Sequence, residues 1–273
     1  MRPIRVSAIS FLNTAPLMWD FEHQPTTELT QNFSIRYTVP SQCATELAAG
    51  TADIGIVPVI TTATIPGLVI VPDVSIAARG PVRSILLISR KPIADVRTVA
   101  VDTSSRTSVA LLQVLLTRFH GGPRQFLPMG PDLGPMLRVC DAALLIGDAA
   151  LSTLTSNLYV YDLAYCWKTF TSKPFVFALW ALRRDAIAEA RPGLPIAQIF
   201  QRSRDHGLQP ANVTAIARDW SPRLGLAVDD LESYLRDNIY YGFDADCKAG
   251  LELFFQYAHE CELIPAVPLL EYM

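Results

Sequence analysis

Histidine and clustered cysteine are scarce in this chain. It has four histidines (His23, His120, His206, His259) and five cysteines (Cys43, Cys140, Cys166, Cys247, Cys261). Neither set falls into CxxC, HExxH or another ligand spacing, which removes the usual signatures of zinc and redox centres. An odd, scattered set of thiols predicts reduced, packed cysteines rather than a disulfide framework. No GxGxxG follows a strand, and there is neither a GxxxxGK[ST] loop nor a GxSxG elbow. Dinucleotide, nucleotide-triphosphate and α/β-hydrolase chemistry therefore lose their fingerprints. A formal net charge of −3 argues against nucleic acid or an anionic membrane surface as partner. The opening MRPIRVSAISFLNT has no apolar h-region, and no run reaches the ~20 apolar residues of a membrane span. The expectation is a cytoplasmic protein whose partner is a small molecule.

What the chain does have is core. At 273 residues and 50% hydrophobic composition it can form one large or two modest α/β domains. Arg5–Ile9 reads as a strand ending in Ser10-Phe11-Leu12-Asn13-Thr14, with Thr14 placed to cap a short helix that Pro16 opens. Ser34–Val39 meets Pro40-Ser41 and a helix over Gln42–Ala49, which Gly50 stops. Asp53–Val57 follows, then two apolar strands, Leu68–Val71 and Val74–Ala78, split by Pro72-Asp73. The repeat of strand, helix, strand predicts a parallel sheet wrapped by helices.

Two long apolar runs, Val82–Ser89 and Phe175–Leu182, are able to cross between lobes as a pair. They place one discontinuous lobe at 1–90 and 174–273 and an inserted lobe at 91–173, joined as a hinged clamp. From Asp185 onward the pattern is helical, with helices over Pro195–His206, Asn212–Trp220, Asp229–Asn238 and Asp244–His259 returning to the first lobe.

Thr98–Leu116 is the most informative stretch. A buried strand stops at Asp102 and turns through Thr103-Ser104-Ser105 into a helix whose Val109, Leu112, Leu116 and Phe119 share one face. The start of such a helix offers unpaired N–H groups and partial positive charge, to which Ser105, Thr107 and Ser108 add hydroxyls and Arg106 a cation. An anion is welcome there. Asn13-Thr14, Pro40-Ser41 and Gly147-Asp148 also end strands in small or polar residues before a helix. Ligands of open α/β sheets bind outside the carboxyl ends of strands, so these four segments should converge on a cleft. Ser84, inside the first crossing run, reads on its own as a packed strand serine.

These segments also carry a resemblance. SAISFLNTAPL (Ser7–Leu17), PSQCATELAAGTADIGIVPV (Pro40–Val59), GPVRSILLISR (Gly80–Arg90), VAVDTSSRTS (Val99–Ser108), ALLIGDAAL (Ala143–Leu151) and PFVFALW (Pro174–Trp180) together resemble the chorismate dehydratase family, which opens the futalosine route to menaquinone. The match runs in order and spacing from about Arg5 to Trp180. It implies an α/β, two-lobed fold of the type 2 periplasmic-binding-protein kind, with two hinge strands and a helical C-terminal tail. It also implies conversion of chorismate to 3-[(1-carboxyvinyl)oxy]benzoate and water, without cofactor or metal. Asn13 and Ser84 map to catalytic positions. Ser41, Ser105, Arg106, Thr107, Ser108, Gly147 and Asp148 are the expected substrate-binding set. One departure stands out: where the family usually reads Thr-Gly before Pro-Phe-Val, this chain has Thr171-Ser172-Lys173, which puts a cation near the expected cleft edge.

Two other readings stay open, the sister enzyme 1,4-dihydroxy-6-naphthoate synthase and a non-catalytic cytosolic protein that binds an aromatic carboxylate. The Asn13 and Arg106-Thr107-Ser108 motifs favour the dehydratase. No histidine falls on the strand-end segments, so the base is expected to be Asp102, Asp148 or the substrate's own carboxylate.

Overall fold

A computed structural model describes residues 2–23, 25–186 and 193–273. Residues 187–192 of the expected helical tail lie outside the described residues. Eleven strands are described, in chain order β1 (Ile4–Ile9), β2 (Phe33–Thr38), β3 (Ile54–Pro58), β4 (Leu68–Ala78), β5 (Ile85–Ser89), β6 (Thr98–Asp102), β7 (Gln125–Met129), β8 (Ala142–Ile146), β9 (Tyr159–Asp162), β10 (Phe175–Arg183) and β11 (Glu271–Tyr272). They form two sheets, ordered β11-β4-β10-β3-β1-β2 and β7-β6-β8-β5-β9.

In the first sheet β1 runs parallel to β2 and β3, while β10 is antiparallel to both β3 and β4. In the second, β6 runs parallel to β7 and β8, and β5 is antiparallel to β8 and β9. The central strands β3 and β8 are buried along their whole length, as continuous apolar runs covered on both faces should be. Pro72-Asp73 does not end a strand. Asp73 takes a left-handed φ of 62° inside the single strand β4, whose pairing with β10 carries register shifts, so the expected break is an irregularity in one strand.

The position of β5 corrects the lobe boundary expected at residue 90. Every residue of β5 pairs with β8, and four of them also pair with β9. Val82–Ser89 is therefore not a crossing strand: the chain crosses at 79–84, and its last five residues belong to the second sheet. Phe175–Leu182 is not a crossing strand either: it lies in β10, paired with β3 and β4 in the first sheet, so the chain returns ahead of it, at 172–174. Both crossings hold a non-glycine residue in the left-handed region, Arg83 (φ 61°) and Ser172 (φ 59°). Ser172 closes the helix Leu163–Thr171 through its N–H on Lys168 O at 2.8 Å. That conformation suits glycine, which explains the residue type expected there from the resemblance. Lys173 is not on the cleft wall and packs beside Gly250 of the C-terminal helix Ala245–Glu260.

Helices hold the first sheet from its C-terminal side. Ile196–Gly207 packs on the 3-10 turn Leu12–Met18 and on β4, and Ala245–Glu260 packs on β10. The core is aromatic there: Trp180 meets Phe200 at 4.7 Å between ring centroids, and Phe175 meets Phe254 at 5.0 Å. At the other end of β1, the buried carboxylate of Asp53 accepts from the Arg5 backbone N–H (2.9 Å) and is paired with the guanidinium groups of Arg2 and Arg5. These bonds hold the Asp53 carboxyl far below the usual range.

Candidate active site

A cleft opens at the carboxyl ends of β1, β3 and β8 and at the start of the helix Thr107–Phe119. Its walls are apolar, with Phe11, Ile76, Ile85, Ile146 and Phe177, its polar groups are Asn13, Ser105, Thr107 and Ser108, and Gly147 also lines it. Of the expected site residues, these five are therefore brought together. Among the described residues no group of three or more His, Cys, Asp or Glu could hold a metal ion.

The helix begins at Thr107, four residues later than the sequence pattern suggests. Asp102 is the reason. Its Oδ1 accepts from the N–H (2.8 Å) and hydroxyl (2.7 Å) of Ser104, a local turn that competes with helix. The turn occupies the carboxylate that was one of the expected bases. Ser105 then caps the helix, its Oγ accepting from Ser108 N at 3.2 Å.

Three expected binders, Ser41, Arg106 and Asp148, are not among the residues that line this cleft. Ser41 donates its backbone N–H to Ser104 O at 3.0 Å and lines an adjoining pocket with Val39, Asp102 and Thr103, which shares Phe11 and Ile146 with the cleft. Arg106 reaches outward to Thr45 Oγ1 at 3.1 Å. Both bonds join one sheet's helices to the other's. Two further bonds do the same: Ile60 N donates to Thr107 Oγ1 (3.3 Å), and Leu12 N donates to Asp148 Oδ1 (3.0 Å). The strand-end segments thus meet as expected, but part of their hydrogen-bonding capacity holds the two halves together.

Gly147 has φ +57°, and a Cβ there would stand 2.7 Å from the Phe11 ring. Its N–H donates to Ser84 O at 2.7 Å. Ser84 is only 1% exposed and sits behind the wall, bonded at 2.9 Å to the hydroxyl of Tyr234. This tyrosine was not singled out from sequence, because an aromatic at helical spacing in LESYLRDN looks like ordinary core.

Burial pushes the Asp148 carboxyl up to about 6, against the opposing bond from Leu12 N–H. A folded-state value above the unfolded one means that the folded chain binds the proton more tightly, so stability falls as pH rises between the two values. Asp148→Asn keeps an oxygen acceptor for Leu12 N–H and removes the charge. It is expected to raise the melting temperature at pH 7 while changing it little at pH 3. The ceiling is about 3 kcal/mol, less whatever solvent screening recovers. Thermal denaturation of both chains at the two pH values checks this, and an equal shift at both would contradict it.

Two α/β sheets joined by two crossings, with a cleft at the strand ends, define a periplasmic-binding-protein-like clamp. The fold comparison agrees. Over 96% of this chain and 99% of the other, the structure superposes with TM-score 0.74 on a protein of Archaeoglobus fulgidus at 15% identity. The alkanesulfonate-binding protein of Xanthomonas axonopodis pv. citri, with MOPS bound, gives TM-score 0.72 at 17% identity over 99% and 96% of the two chains. At these identities the likeness is one of fold. The chain belongs to the menaquinone biosynthesis family, whose model matches residues 4–260. It is 30% identical to the chorismate dehydratase of Thermus thermophilus over 272 residues, 93% of this chain and 94% of the relative.

Proposed function

We propose that this chain is a chorismate dehydratase, a hydro-lyase that converts chorismate to 3-[(1-carboxyvinyl)oxy]benzoate and water in menaquinone biosynthesis. The observation that carries the reading is Asn13 lining one cleft with the hydroxyl-rich helix start Ser105–Ser108, in a chain with a dehydratase relative over nearly its full length. The substrate is a dianion. The N-terminus of the helix Thr107–Phe119, with the Thr107 and Ser108 hydroxyls, suits one carboxylate, and the apolar walls suit the ring.

The reaction removes the C3 proton and the C4 hydroxyl. The C3–H electron pair becomes ring π density, the C4–O bond breaks, and the leaving hydroxide takes a proton to become water. No net oxidation occurs, and aromatisation supplies the driving force. The chain's task is positioning and charge placement. Asn13 carries a donor and an acceptor on one amide, enough to hold the departing hydroxyl or the ether oxygen in line. For the base, the enolpyruvyl carboxylate is tethered beside C3, where effective concentration alone makes it competitive with a protein group. The lobe crossings at 79–84 and 172–174 are the proposed hinges of closure.

The histidines agree with a substrate-borne base. His206 Nδ1 lies 2.7 Å from Asp20, His23 is stacked on Trp19 at 3.9 Å, and His259 Nδ1 lies 3.2 Å from Ile264 O; none of the four lines the cleft. Replacing each histidine by Gln is expected to leave kcat on chorismate within about threefold. One folded His variant that binds chorismate but cannot turn it over would establish a protein base. The test of the function itself is incubation with chorismate, following loss of the cyclohexadiene absorbance and the mass of the product. Binding without turnover would favour the carboxylate-binding alternative.

A further inference from the structure

We propose that Tyr234 is a positioning residue of this site, its phenol fixing the Ser84 hydroxyl, so that the C-terminal helices are part of the catalytic unit. The proposal rests on the dehydratase reading.

The two residues come from separate parts of the fold: Ser84 closes the first crossing, and Tyr234 lies in the helical tail. Tyr234 is 1% exposed, and its hydroxyl donates to Ser84 Oγ at 2.9 Å. A buried phenol without a partner carries a desolvation cost, and here the partner is a residue that the dehydratase reading places at a catalytic position. Burial keeps the phenol protonated throughout the working pH range, so it remains a donor.

The bonding order follows from that proton: Tyr234 donates to Ser84 Oγ, so the Ser84 hydroxyl keeps its own proton to donate onward.

The local backbone is unusual in the same place. Tyr234–Asn238 is a five-residue π turn following the helix Val228–Ser233. Such turns are rare and occur often at functional sites. The turn is anchored on the crossing that carries Ser84: Asn238 Nδ2 donates to Pro81 O at 3.0 Å, and Arg83 pairs with Asp230 at 3.3 Å. Movement of the crossing therefore moves the phenol with it.

The test is Tyr234→Phe in the full chain, assayed with chorismate beside the unaltered protein. We expect kcat to fall about 10- to 100-fold, with KM changed by less than about threefold and normal specific far-UV circular dichroism. In the Ser84→Ala background, where the bond is already gone, the same substitution should cost less than about threefold more. A folded Tyr234→Phe chain with unchanged kcat overturns the proposal, as do losses that simply multiply in the double variant. If Tyr234→Phe does not fold, 3-fluorotyrosine incorporation keeps ring and hydroxyl but makes the phenol a stronger donor. It should shift kcat more than about twofold in the parent and not in Ser84→Ala, and an unshifted parent overturns the proposal. An unaltered protein that leaves chorismate intact overturns the dehydratase reading and this proposal with it, whereas an active parent with an insensitive Tyr234 overturns this proposal alone.

Discussion

Asn13→Ala is expected to lower kcat on chorismate by about 100-fold or more, with product affinity within a few-fold of the parent. Asn13 is a side-chain amide on the cleft wall, carrying donor and acceptor on one group, and its Oδ1 accepts from Thr14 Oγ1 at 3.3 Å. Alanine removes both functions but keeps the 3-10 turn, whose backbone is tied to Asp148 through Leu12 N. The binding groups at Thr107 and Ser108 are untouched, so the loss should fall on the chemical step. Steady-state kinetics together with calorimetric titration of the product separate the two parameters. A rate within threefold of the parent would remove Asn13 from the machinery.

Gly207→Ala is expected to produce the largest loss of stability, about 3 kcal/mol or more. A Cβ at this position would lie 2.0 Å from Pro16 O and 2.6 Å from Pro16 C. Both are backbone atoms, so no side chain can move aside to make room. Either the helix Ile196–Gly207 lifts away or the turn Leu12–Met18 shifts, and the turn carries Asn13. The variant should therefore melt several degrees lower and also lose kcat at temperatures where it is still folded. Gly130→Ala is the control: nothing lies within 4 Å of its Cβ position and no positive φ is required, so its stability should change by less than about 0.5 kcal/mol. Equal melting temperatures for the two variants would contradict the packing argument.

Much of the fold was legible because its signals are local. Continuous apolar runs mark β3, β8 and β10, and cap-like residues at strand ends mark the loops that line the cleft. What could not be read is where one signal serves two partners. Ile85–Ser89 is apolar enough for either sheet, and only the pairing on both its edges assigns it to the second. Ser41 and Arg106 have the chemistry of ligand-binding residues, yet their bonds go to Ser104 and Thr45. Tyr234 looks like ordinary core in sequence, and its proposed role depends on one oxygen whose partner is 150 residues away in the chain. Asp102 reads from sequence as a candidate base, and its grip on Ser104, which delays the helix to Thr107, was not legible.

The strand orders have a consequence for biosynthesis on the ribosome. The second sheet is complete within one unbroken stretch, 85–162, so all its pairings are available once that stretch has emerged. The first sheet is interrupted: β10 inserts between β3 and β4, and β11 at the far end of the chain closes its outer edge. Until residue 183 is made, β3 and β4 have no shared neighbour. At synthesis rates of roughly 5–20 residues per second, their facing edges wait on the order of ten seconds unpaired. That is the interval in which a nascent chain of this topology presents bare strand edges to other chains, and in which a chaperone has something to cover.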